Sequence, residues 1–219
     1  MVHLYALVDH PARLPPLAGI GGETVSAAEA AGIDAIFSEH DDPAADATDA
    51  AVLAHARLVE AVAALNAAVL PARFPGRYES EAALRDNIRD RASDLCDALD
   101  RVRGCVEVGV RVVPSAGIVD ERARSGGDYM RGRLAAIREA EGIARELDAA
   151  VAPIVREGTR SVAATSQLVL SAAYLVASSE AADFRPAVET VARRHPDLAY
   201  VCFGPWPPYS FALVDGPPR

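Results

Sequence analysis

The chain has 219 residues, 51% of them hydrophobic and 24% charged, which is ordinary usage for one or two globular domains with a sizeable core. Acidic residues outnumber basic ones 31 to 22, every basic residue is Arg, and the formal net charge is −9. This balance excludes the basic footprint that sequence-independent nucleic-acid binding needs. No apolar run reaches the ~18 residues of a membrane span, and Met1-Val2-His3-Leu4-Tyr5 lacks the basic-then-apolar start of a secretory signal. Cys96, Cys105 and Cys202 show no CxxC spacing, which fits reduced thiols in a cytosolic protein rather than a disulfide framework or a zinc site.

Val2 to Val8 is a short apolar run that reads as a buried strand ending at Asp9-His10-Pro11. Residues 11–22, rich in Pro and Gly, form a loop. Strands follow at Glu23–Ala28 and Ile33–Ser38 with Gly32 at the turn. From Thr48 to Ala67 the residues are helix formers, with Val52, Ala56, Val59, Ala63 and Asn66 on one face, widened by Leu58, Val62 and Leu65. Val69–Phe74 reads as a strand in which Pro71 must lie at an edge or an end. Ser80 caps a helix that carries Leu84, Ile88, Leu95, Leu99 and Val102 on one face and stops at Gly104.

Cys105–Val113 alternates, Val106, Val108, Val110 and Val112 against Glu107, Gly109 and Arg111, and so reads as a strand with one buried face. A polar loop spans 114–127. Asp128 opens a long helix with Met130, Leu134, Ile137, Ala144, Leu147 and Val151 on one face. Strands at Arg160–Ala164 and Leu168–Ala177 precede a helix capped by Asp183, in which Pro186 falls in the first turn. His195-Pro196 ends that helix, and Leu198–Phe203 is the last strand.

From Cys105 onward the order is strand, helix, strand, strand, helix, strand. That is the ferredoxin-like (split βαβ) order, with helices on one face of an antiparallel sheet. The fold class expected is therefore α+β with two domains: residues 1–104 as an N-terminal α+β domain, and residues 105–219 as a ferredoxin-like domain with a Pro/aromatic tail.

Chemistry-bearing residues are few. Glu39-His40-Asp41-Asp42 with His55 could hold a metal, but no ligand spacing on a helix face supports it, and a solvated loop before a helix explains the same residues. Asp9-His10 before Pro11 reads as a turn. Cys96, beside an apolar helix face, and Cys105 and Cys202, in strands, read as inert small hydrophobes. His195 is a helix-end cation. Gly19-Ile20-Gly21-Gly22 lacks the context of a phosphate loop. Arg73, Arg77, Arg85, Arg89 and Arg91, interleaved with Asp86, Asp90 and Asp94, read as a salt-bridged outer face rather than an anion grip. No cofactor, metal or catalytic set is expected. The unusual segment is Gly204, Pro205, Trp206, Pro207, Pro208, Tyr209, Ser210 and Phe211. Three prolines among large rings make either a clamp over the sheet edge or a docking surface for another chain, and both readings stand together.

Several ordered pieces of the chain resemble the gas vesicle protein family GvpL/GvpF. Val69-Leu70-Pro71-Ala72-Arg73-Phe74 is similar to the family's VLPLRFG stretch, and it leads to the helix start at Ser80-Glu81. Val106–Val112 resembles its next strand, Leu168–Val176 its AYLV strand, and Gly204–Phe211 its terminal GPWPPYSF motif. Pro75-Gly76 stands where the family has Gly-Thr, and 114–127 aligns with no motif. The resemblance implies two domains, the second a modified ferredoxin-like one. It further implies a non-enzymatic accessory or minor component of gas vesicles in the cytoplasm, binding the hydrophobic shell protein GvpA and other Gvp proteins during nucleation and limiting shell aggregation. The alternative is a ferredoxin-like small-ligand binder or enzyme, because such domains host many activities.

Overall fold

A run from Val2 to Val8 that is apolar except for His3 calls for a strand covered on both faces. The chain supplies one: Val2–Asp9 is β1, at the centre of the first sheet, buried from Val2 to Val8. The structure is a computed structural model and describes residues 1–40, 48–115, 126–163, 165 and 167–212. Asp41, Asp42 and residues 116–125 of the expected loop lie outside the described residues, as does Ala164 at the end of an expected strand.

A one-turn helix at Ile20–Gly22 precedes a hairpin of β2 (Val25–Ala30) and β3 (Ile33–Glu39). Its two-residue turn has Ala31 at φ 53° and Gly32 at φ 80°, the left-handed pair that matches strand twist. β3 pairs antiparallel with β1, Val2 opposite Glu39 and Asp9 opposite Ile33. The other side of β1 takes β4 (Val69–Pro71) and the two-residue β5 (Arg77–Tyr78), both antiparallel. Pro71 closes β4 at the end of the order β2-β3-β1-β4, where its missing N–H costs no ladder bond.

α1 (Asp49–Leu65) starts at Thr48, whose side chain accepts the Ala51 N–H. Its buried residues are Ala51, His55, Leu58, Val59 and Val62, whereas Val52 and Leu65 are exposed. The buried stripe is thus rotated from the one expected, because it runs through a histidine that an apolar count passes over. The single helix expected from Ser80 to Gly104 is two: α2 (Glu81–Asp90) and α3 (Ala92–Val102), broken at Arg91 with φ −115° and ψ 13°. Ile88 and Leu95 are seven positions apart, so the apolar face is kept across the break.

The second sheet has the order β7-β8-β6-β9. Its strands are β6 (Cys105–Pro114), β7 (Val155–Val162), β8 (Leu170–Ala177) and β9 (Leu198–Trp206), joined in part by α4 (Gly126–Val151) and α5 (Ala181–Ala192). β7 pairs antiparallel with β8, Val162 opposite Leu170 and Val155 opposite Val176. β7 is longer than expected and exposed from Arg156 to Ser161, so no burial pattern marks it in the sequence. Arg156, Glu157 and Arg160 on this edge strand discourage pairing with another sheet. α5 begins at Ala181 without a side-chain cap, not at Asp183, so Pro186 is its sixth residue and lies past the first turn. The core joins Val108, Val110 and Val112 to Ile143, Leu147, Leu170, Tyr174, Phe184 and Val188. Each large apolar side chain buried this way contributes about 1.5–3 kcal/mol.

The described residues therefore form a mixed α/β structure of two antiparallel sheets and five α-helices. They divide into two compact units, Met1–Cys105 together with Trp206 and the described residues after it, and Val106–Pro205. The terminal segment from Trp206 follows the second unit in the chain but groups with the first.

Candidate functional site

β9 delivers the Pro/aromatic segment. Gly204 has φ 99°, a left-handed conformation that a Cβ would strain, and this explains the glycine at the head of the motif. Past Trp206 the chain turns tightly: the Tyr209 N–H donates to the Pro207 carbonyl at 2.8 Å, and the Phe211 and Ala212 N–H groups donate to the Pro208 carbonyl at 3.1 and 2.9 Å. Pro207 and Pro208 are buried, and Phe211 is 3% exposed. Tyr209 packs against the core cluster formed by Tyr5, Ile20, Ala51, Leu58 and Val59. Arg101 of α3 fixes the end by donating to the Phe211 carbonyl at 2.5 Å. Trp206 stays 41% exposed. Half of the motif thus packs inside the first unit, and its tryptophan faces outward.

Beneath Tyr209 lies a buried polar network. The Ile20 N–H donates to Tyr5 Oη at 2.8 Å, Tyr5 Oη lies 2.7 Å from Ser38 Oγ, and Ser38 Oγ lies 2.8 Å from His40 Nε2. Beside it His3 Nε2 is 2.8 Å from His55 Nδ1, and His55 Nε2 donates to the Ala72 carbonyl at 3.0 Å. His3, His40 and His55 are all buried, and the ring of Phe74 sits 5.6 Å from those of His3 and His55. Burial holds His55 below the usual histidine range, partly offset by its backbone bond to Ala72. Gly19 serves this network: a Cβ there would lie 2.4 Å from Tyr5 Oη, so the Gly19-Ile20-Gly21-Gly22 run admits a tyrosine rather than a phosphate.

The metal reading named His40 and His55. The fold brings them to one place and adds His3, which nothing in the local sequence singles out. His3 Nε2 bonds to His55, and His40 Nε2 and His55 Nε2 bond to the Ser38 and Ala72 oxygens, whereas His3 Nδ1 is buried without a hydrogen bond among the described residues. Among the described residues no group of three or more His, Cys, Asp or Glu is arranged to hold a metal ion. The hydroxyl–imidazole pair of Ser38 and His40 is buried within this network, where Ser38 Oγ is also held by Tyr5 Oη.

The other candidates are scattered. Asp9 pairs with Arg103, and His10 Nδ1 lies 3.0 Å from Asp34 Oδ2, which also accepts the Ala12 N–H at 2.7 Å; the residues at the Pro11 turn are pinned. Arg85 pairs with Glu81 at 2.6 Å and Arg89 with Asp86 at 2.7 Å, part of the expected outer face. His195 lies 3.3 Å from Glu146 of α4. Cys96 is exposed rather than tucked against the apolar face. Cys202 is half-buried, and burial pushes its thiol pKa up.

In the second unit, Tyr174 Oη donates to Asp148 at 2.8 Å, Asp148 also pairs with Arg160, and burial pushes Tyr174 up to about 12. Tyr200 Oη is buried without a hydrogen-bond partner among the described residues; burial, with Glu146 and Asp197 nearby, pushes its pKa up to about 12. A groove of about 560 Å³ opens by Pro114, Ala140, Ile143, Val169 and Leu198, with Glu139 and Asp197 on its walls. No helix among the described residues is long and apolar enough to cross a membrane.

A family model described as gas vesicle synthesis protein GvpL/GvpF matches residues 1–213. Gas vesicle protein F2 of Halobacterium salinarum is 27% identical over 184 residues, covering 83% of this chain and 77% of that protein. Gas vesicle protein L of a Streptomyces strain is 29% identical over 187 residues, covering 75% and 69%. The fold is similar to the crystal structure of GvpF from Anabaena sp., with a TM-score of 0.80 over 98% of both chains at 18% identity. GvpF from Microcystis aeruginosa gives 0.77 over 97% of this chain and 99% of that one, also at 18% identity. With a family match from Met1 through the terminal aromatic motif, the chain belongs to the GvpL/GvpF family of gas vesicle synthesis proteins.

Proposed function

We propose that this chain is a non-enzymatic accessory or minor structural component of gas vesicles in the cytoplasm. In this reading it binds the hydrophobic shell protein GvpA and other Gvp proteins during nucleation and limits shell-protein aggregation. The observation that supports it is the family match over residues 1–213. A subunit destined for a β-rich wall exposes apolar surface and unpaired strand edges before assembly, which is an aggregation hazard. A partner with a net charge of −9 keeps such a complex dispersed.

We place the contact at the exposed Trp206 of the Gly204–Phe211 motif, a large apolar ring 41% exposed. We further read the two units as two domains, the second ferredoxin-like. Its β6-α4-β7-β8-α5-β9 sequence and β7-β8-β6-β9 order support that reading.

Co-expression with GvpA tests the function. The expected result is more GvpA in the soluble fraction with this chain than without it, and a loss of that gain with Trp206→Asp. Equal precipitation in both cases overturns the shielding role. Deletion in a vesicle-forming host, scored by buoyancy and light scattering, is expected to reduce flotation.

A further inference from the structure

α4 is 26 residues long, but the core of the second unit covers only its second half. Ala140, Ile143, Ala144, Leu147 and Val151 are buried, whereas residues 127–135 are all exposed. That bare half is not polar. Met130 and Leu134 are 56% and 50% exposed, and with the half-buried Ile137 they stand at i, i+4 and i+7, one stripe on the helix. Tyr129, 56% exposed, lies beside them.

The flanks of the stripe carry charge of one sign. At about 100° per residue, Arg131 and Arg138 run along one side of it and Arg133 along the other. Asp128, the acidic residue of this half, is paired with Arg131 at 2.7 Å. A basic, apolar ridge therefore stands on a chain whose net charge is −9.

The charge pattern selects the occupant. Two copies of this ridge laid together would oppose Arg to Arg, which disfavours self-pairing. An anionic bilayer repels a protein of this net charge, and an apolar face of two turns is short for lying in a headgroup layer. A helix with its own apolar stripe between Asp and Glu satisfies both the stripe and the flanks, as in the charged edges of paired helices. We infer that the N-terminal half of α4 is a docking ridge for an acidic amphipathic helix of another protein. Met130, Leu134 and Ile137 take its apolar stripe, and Arg131, Arg133 and Arg138 take its carboxylates. This is independent of Trp206 and of any role toward GvpA.

The test uses the full chain and two fluorescent helical peptides of about 20 residues, one with a leucine stripe flanked by Glu and its isomer flanked by Lys. Fluorescence polarisation is expected to show the Glu peptide binding at least about tenfold tighter than the Lys peptide, and weakening as salt is raised. Leu134→Asp and the Arg131→Glu, Arg138→Glu pair are each expected to weaken it at least about tenfold, with melting temperatures within about 2 °C of the parent. Absence of binding, equal binding of the two peptides, or unchanged binding by the variants overturns the inference. So does a large drop in melting temperature for Leu134→Asp, which would mean that the stripe is already packed within the molecule. Anionic-vesicle binding or self-association lost in the same variants also overturns it, in favour of those occupants.

Discussion

His3 and His55, 52 positions apart in sequence, share a 2.8 Å hydrogen bond in the interior of the first unit. Because His55 Nε2 already donates to the Ala72 carbonyl, a neutral His55 offers its bare Nδ1 to the His3 N–H. A proton added to His55 must occupy that Nδ1, so His3 can no longer act as the donor there.

This geometry sets a pH response. Burial keeps the folded-state pKa of His55 below its ordinary value, while the unfolded chain takes up the proton near pH 6.5. The unfolded state therefore binds more protons between those two values. The stability that neutral His55 supports is fully present above about pH 6.5 and is lost as pH falls toward the folded pKa. Melting temperatures taken from about pH 7.5 down to 5 should fall, and His55→Gln should flatten that fall. A variant with the parent's slope would assign the acid sensitivity elsewhere.

Tyr209 and Trp206 are expected to separate structure from surface. Tyr209→Ala removes a ring packed against the cluster that includes Tyr5, Leu58 and Val59 and should cost about 2 kcal/mol, read as a shift in the denaturant midpoint. Trp206→Ala, at an exposed ring, should change stability by less than about 1 kcal/mol. If Trp206→Ala is the more destabilising of the two, the tryptophan is part of the core packing and not an available surface.

Gly19 and Tyr5 should be coupled. A Cβ on Gly19 would meet Tyr5 Oη at 2.4 Å and Ser38 Oγ at 3.0 Å, so Gly19→Ala should destabilise by about 1–3 kcal/mol. Tyr5→Phe removes the clashing oxygen. In the double variant the Gly19→Ala penalty should shrink, giving a coupling of at least about 0.5 kcal/mol in a double-mutant cycle. Simple additivity would contradict the close approach.

The thiols should react in order of access. Cys96 is exposed on α3, whereas Cys202 is half-buried with its thiolate disfavoured by burial. Under native conditions near neutral pH, a maleimide should label Cys96 first and Cys202 slowly, as read by peptide mass mapping. Equal rates would show that β9 opens readily.

How far the residues alone reveal this molecule depends on the range of the signal. β1 and β6 are legible because a mostly apolar run and a Val alternation are local patterns. The break at Arg91 is not, since the seven-residue step from Ile88 to Leu95 preserves the face on either side of it. β7 is hidden because an edge strand exposed on both faces keeps no pattern. The terminal motif is visible as a string of prolines and rings, but its seat on Tyr5 and α1 is a long-range contact that spacing does not encode. The same holds for His3, which meets His40 and His55 only through the pairing of β1 with β3 and the packing of α1.

The return of Tyr209 and Phe211 to the first unit has a consequence for synthesis. The half of the protein that leaves the ribosome earliest is the half that is finished last, because its cover over Tyr5 and Leu58 is translated only after the whole second sheet. A nascent chain that stalls within β9 would show that uncovered floor to chaperones and proteases. The core of the first unit is thus covered only once the terminal motif has been made.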